Sequence, residues 1–122
     1  MTVQHTATDM AVRQVGAITI VEFLDRRLID TARIESLGSR VTDLINEKNA
    51  VKLIINFEKV EYLSSTMLNV LIALDTAVKR KKGKLVLANL DPELQKVFTL
   101  MKLNKVMTIC KTVDDAMSEM KE

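Results

Sequence analysis

The chain has 122 residues and a mass of 13.7 kDa, enough for one domain with one core and not for two. Hydrophobic residues make up 48% and charged residues 28%, the mix of a globular protein, and a net charge of +2 is too small to imply a nucleic-acid partner. Aromatic content is 3%, with no tryptophan, so stacking platforms for bases or sugars are scarce. The single cysteine, Cys110, forbids an internal disulfide and points to a reducing compartment; it sits in an apolar run and reads as a small core residue. The first nine residues lack the basic-then-apolar pattern of a signal peptide. No window approaches ~18 apolar residues. The expectation is therefore a cytoplasmic protein without membrane insertion.

Residues 1–11 read as a flexible N-terminal arm. Two short strands follow, over 12–15 and 17–24, joined near Gly16. A polar connection over 25–30 leads to a helix that Asp30 or Thr31 can cap. Its apolar positions Ile34, Leu37, Val41, Leu44 and Ile45 recur at spacings of three and four, one stripe on one face. After a turn over 46–50, residues 51–57 form a strand apolar on both faces at its centre, as an interior strand covered by helices should be.

The second helix is expected from about Thr66 to Arg80. Met67, Leu68, Val70, Leu71, Leu74, Ala77 and Val78 are too many for a narrow stripe, so it is expected to be buried over much of its circumference. The run Lys79-Arg80-Lys81-Lys82-Gly83 ends it with positive charge and a glycine. A strand over 84–88 comes next, then a helix opened by Asp91-Pro92-Glu93 and carrying Leu94, Val97, Phe98 and Met101. Asn104 turns the chain into a last strand over 106–110. Thr112-Val113-Asp114-Asp115 caps a final helix with Ala116, Met117 and Met120 inward. The order β-β-α-β-α-β-α-β-α favours a parallel or mixed sheet with helical crossovers.

Few residues can carry chemistry. The lone histidine, His5, lies in the arm, so neither a zinc cluster nor a Ser-His-acid triad assembles readily. The three glycines stand apart, at 16, 38 and 83, and form no phosphate loop. Glu58 with Glu61, and Asp114 with Asp115, read as solvated surface; the basic run over 79–84 reads as a solvated helix end or a partner contact. Ser64, Ser65 and Thr66 differ, because they stand where an alternating run gives way to an apolar helix. First-turn amides favour negative charge by roughly 0.3–1 kcal/mol. A hydroxyl here can cap the helix, or it can accept a phosphate of about −1.5 to −2 charges that transforms the local surface. Position alone leaves both roles open.

The run Ile54-Ile55-Asn56-Phe57, Val60-Glu61-Tyr62-Leu63, Ser64-Ser65-Thr66-Met67, Leu68-Asn69-Val70-Leu71 resembles the STAS domain family, and within it the bacterial anti-sigma factor antagonists. Lys82-Gly83-Lys84-Leu85-Val86-Leu87-Ala88-Asn89, followed by Pro92, Val97, Phe98 and Leu103, looks like the family's next strand and helix, and the likeness covers roughly residues 12–120. The resemblance implies an α/β fold: a single STAS-type domain over 12–122, with a central mixed sheet of about four to five strands and four α-helices. It puts the family's phosphorylated serine on Ser65, with Thr66 as the alternative, its aspartate on Ser64 and its glycine on Met67. The implied partner surface comprises Ser64, Ser65, Thr66, Met67 and Asn69, with Asp25 from the preceding connection, and Met67 is expected near that surface.

What the resemblance implies for function is noncatalytic partner switching. The unphosphorylated protein binds an anti-sigma factor with a serine-kinase ATP-binding fold, phosphorylation of the helix-start serine releases it, and a serine phosphatase restores it. No cofactor, metal or nucleic acid is implied. A STAS scaffold or transport-associated interaction domain that never carries phosphate is the alternative, and a small enzyme is a remote third.

Overall fold

The computed structural model describes residues 2–6 and 9–120. In chain order its elements are β1 (Thr2–Thr6), β2 (Met10–Val15), β3 (Ile18–Phe23), β4 (Arg27–Leu28), α1 (Thr31–Glu47), β5 (Lys52–Asn56), β6 (Tyr62–Leu63), α2 (Ser65–Arg80), β7 (Lys84–Ala88), α3 (Pro92–Leu100), a 3-10 turn (Leu103–Lys105), β8 (Thr108–Cys110) and α4 (Val113–Glu119). Six strands form one mixed sheet in the order β1-β2-β3-β5-β7-β8; β4 and β6 form a separate parallel pair. The β1–β2 and β2–β3 pairings are antiparallel, and β3, β5, β7 and β8 run parallel. The α/β class, the mixed sheet and the four helices agree with the expectation. The sheet gains a sixth strand because residues 2–6, expected in a flexible arm, pair with residues 11–15. Met1, Ala7 and Thr8 of that stretch lie outside the described residues.

The pleat sorts β5 between two cores. Leu53 and Ile55 face a large cluster with Ile34, Leu37, Val41 and Ile45 of α1, Met67, Leu71, Leu74 and Val78 of α2, and Leu94 and Phe98 of α3. Ile54 faces the other way, with Ile20, Val86 and Ala88, against Ala116 of α4 and Met120 just after it. Alternate residues of a strand point to opposite faces, so a strand covered on both sides is apolar at every position. Phe23 and Phe57 meet edge to face, centroids 5.6 Å apart. Two glycines mark close approaches. A Cβ on Gly38 of α1 would stand 2.9 Å from Val70 Cγ1 of α2, and one on Gly83 would stand 2.3 Å from the Val51 carbonyl oxygen, which accepts the Lys84 N–H at 2.7 Å. The left-handed residue after α2 is Lys82, not Gly83, so the glycine serves packing rather than backbone freedom.

Caps set the helix starts. Asp30 accepts from the Ala32 N–H, Asp91 from Glu93 and Thr112 from Asp115. Three local expectations change. Val97 on α3 and Met101 just after it are exposed, since of that helix Leu94 and Phe98 alone are buried in the core. β8 begins two residues late, because the 3-10 turn continues through a Met107 N–H to Leu103 carbonyl bond of 2.8 Å. Cys110 is half-buried rather than core, and what burial it has pushes its thiol pKa up. No described helix is long and apolar enough to cross a membrane.

Candidate partner-docking site at the start of the second helix

The break between β6 and α2 is built by Ser64. It holds extended backbone (φ −83°, ψ 166°), its Oγ accepts the Met67 N–H at 3.4 Å, and its carbonyl accepts from Met67 and Leu68. Ser64 is therefore the N-cap, and the helix starts one residue earlier than expected. Ser65, the first helical residue, is exposed, and its Oγ has no hydrogen-bond partner among the described residues. No acidic residue occupies the first turn of α2. The amides of Ser65 and Thr66 precede the first intrahelical acceptors, which leaves that end of the helix favourable to anions.

The expected site residues separate by helical angle. Successive residues are ~100° apart, so Ser65 and Asn69 share a face. Both are exposed, and Thr66 between them is half-buried. Met67 falls on the opposite side and is 0% exposed within the main core. Met67 is thereby corrected from a surface contact to a core residue: its side chain fills the space beneath the helix start.

Asp25 is brought to the same end of the molecule by contacts that no sequence pattern reveals. The pair β4–β6 sets Arg27 beside Tyr62 and Leu28 beside Leu63. The Arg26 carbonyl accepts from the Glu61 and Tyr62 N–H groups at 2.8 and 3.1 Å, and the Leu28 carbonyl from the Ser64 N–H at 2.9 Å. The connection before α1 is thus laced to the segment that delivers Ser65. Asp25 is engaged: both its oxygens accept from the Arg33 guanidinium, and that bond together with the carboxylate's charge raises the Arg33 pKa. Arg26 donates to both oxygens of Glu61, so Glu61 belongs to an exposed ion pair rather than to an acid pair with Glu58.

Sequence reasoning missed the apolar and aromatic members of this surface. Ile29 is 42% and Tyr62 54% exposed, and the Arg27 guanidinium lies 5.5 Å from the Tyr62 ring centroid. Arg and Tyr are the residue types that most often anchor protein interfaces. Two apolar side chains inside polar turns were the available signal. No three His, Cys, Asp or Glu side chains converge as a metal-ligand set among the described residues. What the arrangement offers is a free hydroxyl at an anion-favouring helix start, with exposed Asn69 on the same face.

Comparison with known proteins agrees with this architecture. The STAS domain model matches residues 9–116. An anti-sigma factor antagonist from Mycobacterium paratuberculosis superposes with a TM-score of 0.80 at 18% identity, covering 100% of this chain and 96% of that one. An anti-sigma-factor antagonist (STAS) domain protein from Planctomyces limnophilus gives 0.77 at 20% identity, covering 92% and 97%. The Bacillus cell fate determinant SpoIIAA in its phosphorylated form gives 0.71 at 18% identity, covering 92% and 99%. At such identities the neighbours establish the fold, and the model match spans most of the chain: this protein belongs to the STAS domain family.

Proposed function

We propose that this protein is a noncatalytic anti-sigma factor antagonist of the cytoplasm that works by partner switching, with Ser65 as the phosphoacceptor. The observation that carries the reading is the division of labour at the start of α2. Ser64 is spent on the cap, while Ser65 stands exposed and unbonded on the face it shares with Asn69. A phosphate there adds about −1.5 to −2 charges beside free helix amides, and a partner docked on Ser65, Asn69 and the Asp25 connection loses complementarity in both charge and bulk. The partner is an anti-sigma factor with a serine-kinase ATP-binding fold, and a serine phosphatase resets the cycle. Thr66, half-buried, is the less accessible acceptor.

Intact-mass and fragment mass spectrometry of protein from its native cells tests this directly. Phosphate on Ser65, removed by phosphatase, is expected, together with a partner retained by Ser65→Ala and lost by Ser65→Asp. A co-purifying partner with no phosphate under growth or stress would instead identify a static scaffold.

A further inference from the structure

The six-stranded sheet has two edges, and they differ in length. β8 closes one with three residues, Thr108–Cys110, and β1 closes the other with five, Thr2–Thr6. No strand pairs with the outer side of β1 among the described residues. An open edge is a template for another chain, and natural sheets guard theirs with lysine, proline, bulges or inward charges. β1 reads Thr-Val-Gln-His-Thr, without lysine, arginine, aspartate, glutamate or proline. It also pairs with β2 residue for residue, with no bulge.

The register determines which backbone groups of β1 point outward. The Leu24 N–H donates to the Asp9 carbonyl at 3.0 Å, so Asp9 turns its backbone toward the β3 side. N–H and C=O groups change sides at each residue of an antiparallel strand. Ala11, Arg13 and Val15 therefore bond to β3, and Val12 and Gln14 bond to β1. The turn at Gly16 and Ala17 gives the same phase, because its closing pair, Val15 and Ile18, carries the bond of a two-residue turn. Opposite Val12 and Gln14 stand His5 and Val3. Thr2, Gln4 and Thr6 thus hold their N–H and C=O groups away from the sheet.

We infer that β1 is a dimerisation edge whose occupant is the β1 of a second copy of this chain, antiparallel and centred on Gln4. The three outward residues are self-complementary: a two-fold axis beside Gln4 sets Gln4 opposite its own copy and Thr2 opposite Thr6. Every outward group then meets an outward group, and each pair exchanges two main-chain bonds, about six in all. Sliding the strands by two residues forfeits about two of those bonds. No like charges are brought together, which is what an unguarded edge permits. The inference is independent of phosphorylation. α2 packs over β5 and β7, and β5 is three strands in from this edge, roughly 14 Å away at the usual strand spacing. Both Ser65 hydroxyls stay uncovered, so the dimer offers a bivalent partner two sites to hold at once.

Sedimentation equilibrium of the full chain, without an N-terminal tag, tests the inference. A strand pair is a small interface, so a monomer–dimer equilibrium with a Kd on the order of 100 µM is expected. Gln4→Pro removes an N–H that only the second copy uses, and Gln4→Lys sets two like charges across the axis. Each should raise the Kd by about tenfold or more, while the urea midpoint of the dilute protein stays that of wild type. Amide exchange reads the register: with rising concentration Gln4 and Thr6 gain protection, whereas Val3 and His5 keep what β2 already gives them. The inference fails if the chain stays monomeric to about 1 mM, if neither substitution weakens association, or if association protects β8 and leaves Gln4 and Thr6 exchanging. It also fails if Gln4 and Thr6 gain protection only when a different protein binds.

Discussion

Replacing Ser64 and Ser65 one at a time by alanine separates capping from signalling. Ser64→Ala deletes the oxygen that accepts the Met67 N–H, and caps of this kind are worth about 0.5–2 kcal/mol. The bond is long, 3.4 Å, and the Ser64 backbone bonds survive the substitution, so the cost should fall in the lower half of that range, about 1 kcal/mol. For a domain of this length an unfolding entropy of ~2.1 cal/mol/K per residue converts 1 kcal/mol into a drop in Tm of about 4 °C. Ser65→Ala removes an exposed hydroxyl with no partner among the described residues, and such surface changes stay within about 0.5 kcal/mol. Urea denaturation of both variants, with m-values compared, reads the difference directly. If Ser65→Ala were as costly as Ser64→Ala, the assignment of cap and free hydroxyl would be wrong, and with it the case for Ser65 as the modifiable residue.

Met67→Gly should cost about 3 kcal/mol or more in denaturant unfolding, since it empties a buried site and weakens a helix, while leaving partner affinity unchanged; a stable variant would show that Met67 is not core. Gly83→Ala should destabilise by roughly 1–3 kcal/mol through collision with the Val51 backbone, and an unchanged midpoint would contradict that approach. Asp75 is 2% exposed on α2, and its Oδ2 meets Lys79 Nζ at 2.8 Å; Lys79→Met should lose about 1–3 kcal/mol by leaving the carboxylate unpaired, with Asp75→Asn/Lys79→Met partly recovering it in a double-mutant cycle. The Arg40 guanidinium, whose Nη2 lies 2.6 Å from Asp9 Oδ2 as an ion pair, holds the Asp9 carboxyl below its ordinary 3.8. A carboxyl lowered by folding contributes stability above the unfolded value and loses it as pH falls through the folded one. Asp9→Asn should therefore flatten the acid limb of stability below pH 3.8 and leave the neutral-to-basic side parallel to wild type.

Much of this protein is legible from local pattern, because local pattern is what the elements obey. The three-and-four spacing of Ile34, Leu37, Val41 and Ile45 determined α1, the two-sided apolar run around Ile54 determined an interior strand, and Asp91-Pro92 and Thr112 determined helix starts. Each rests on periodicity or capping within a few residues, and so does the location of a hydroxyl cluster at a strand-to-helix break.

The tertiary structure decided what depends on neighbours distant in sequence. Residues 2–6 join the sheet only because residues 11–15 offer them an edge. The pairs Arg27–Tyr62 and Leu28–Leu63 are too short to carry a period, yet they bring the Asp25 connection to Ser65. Gly83 reads as a helix stop, whereas its requirement comes from Val51, thirty-two residues earlier. Met67 and Ser65 differ by two positions and by about 200° of helix, and only the packing of α2 on the sheet determines which of them meets solvent. Adjacency in sequence prescribes backbone conformation; burial is a property of what packs against it.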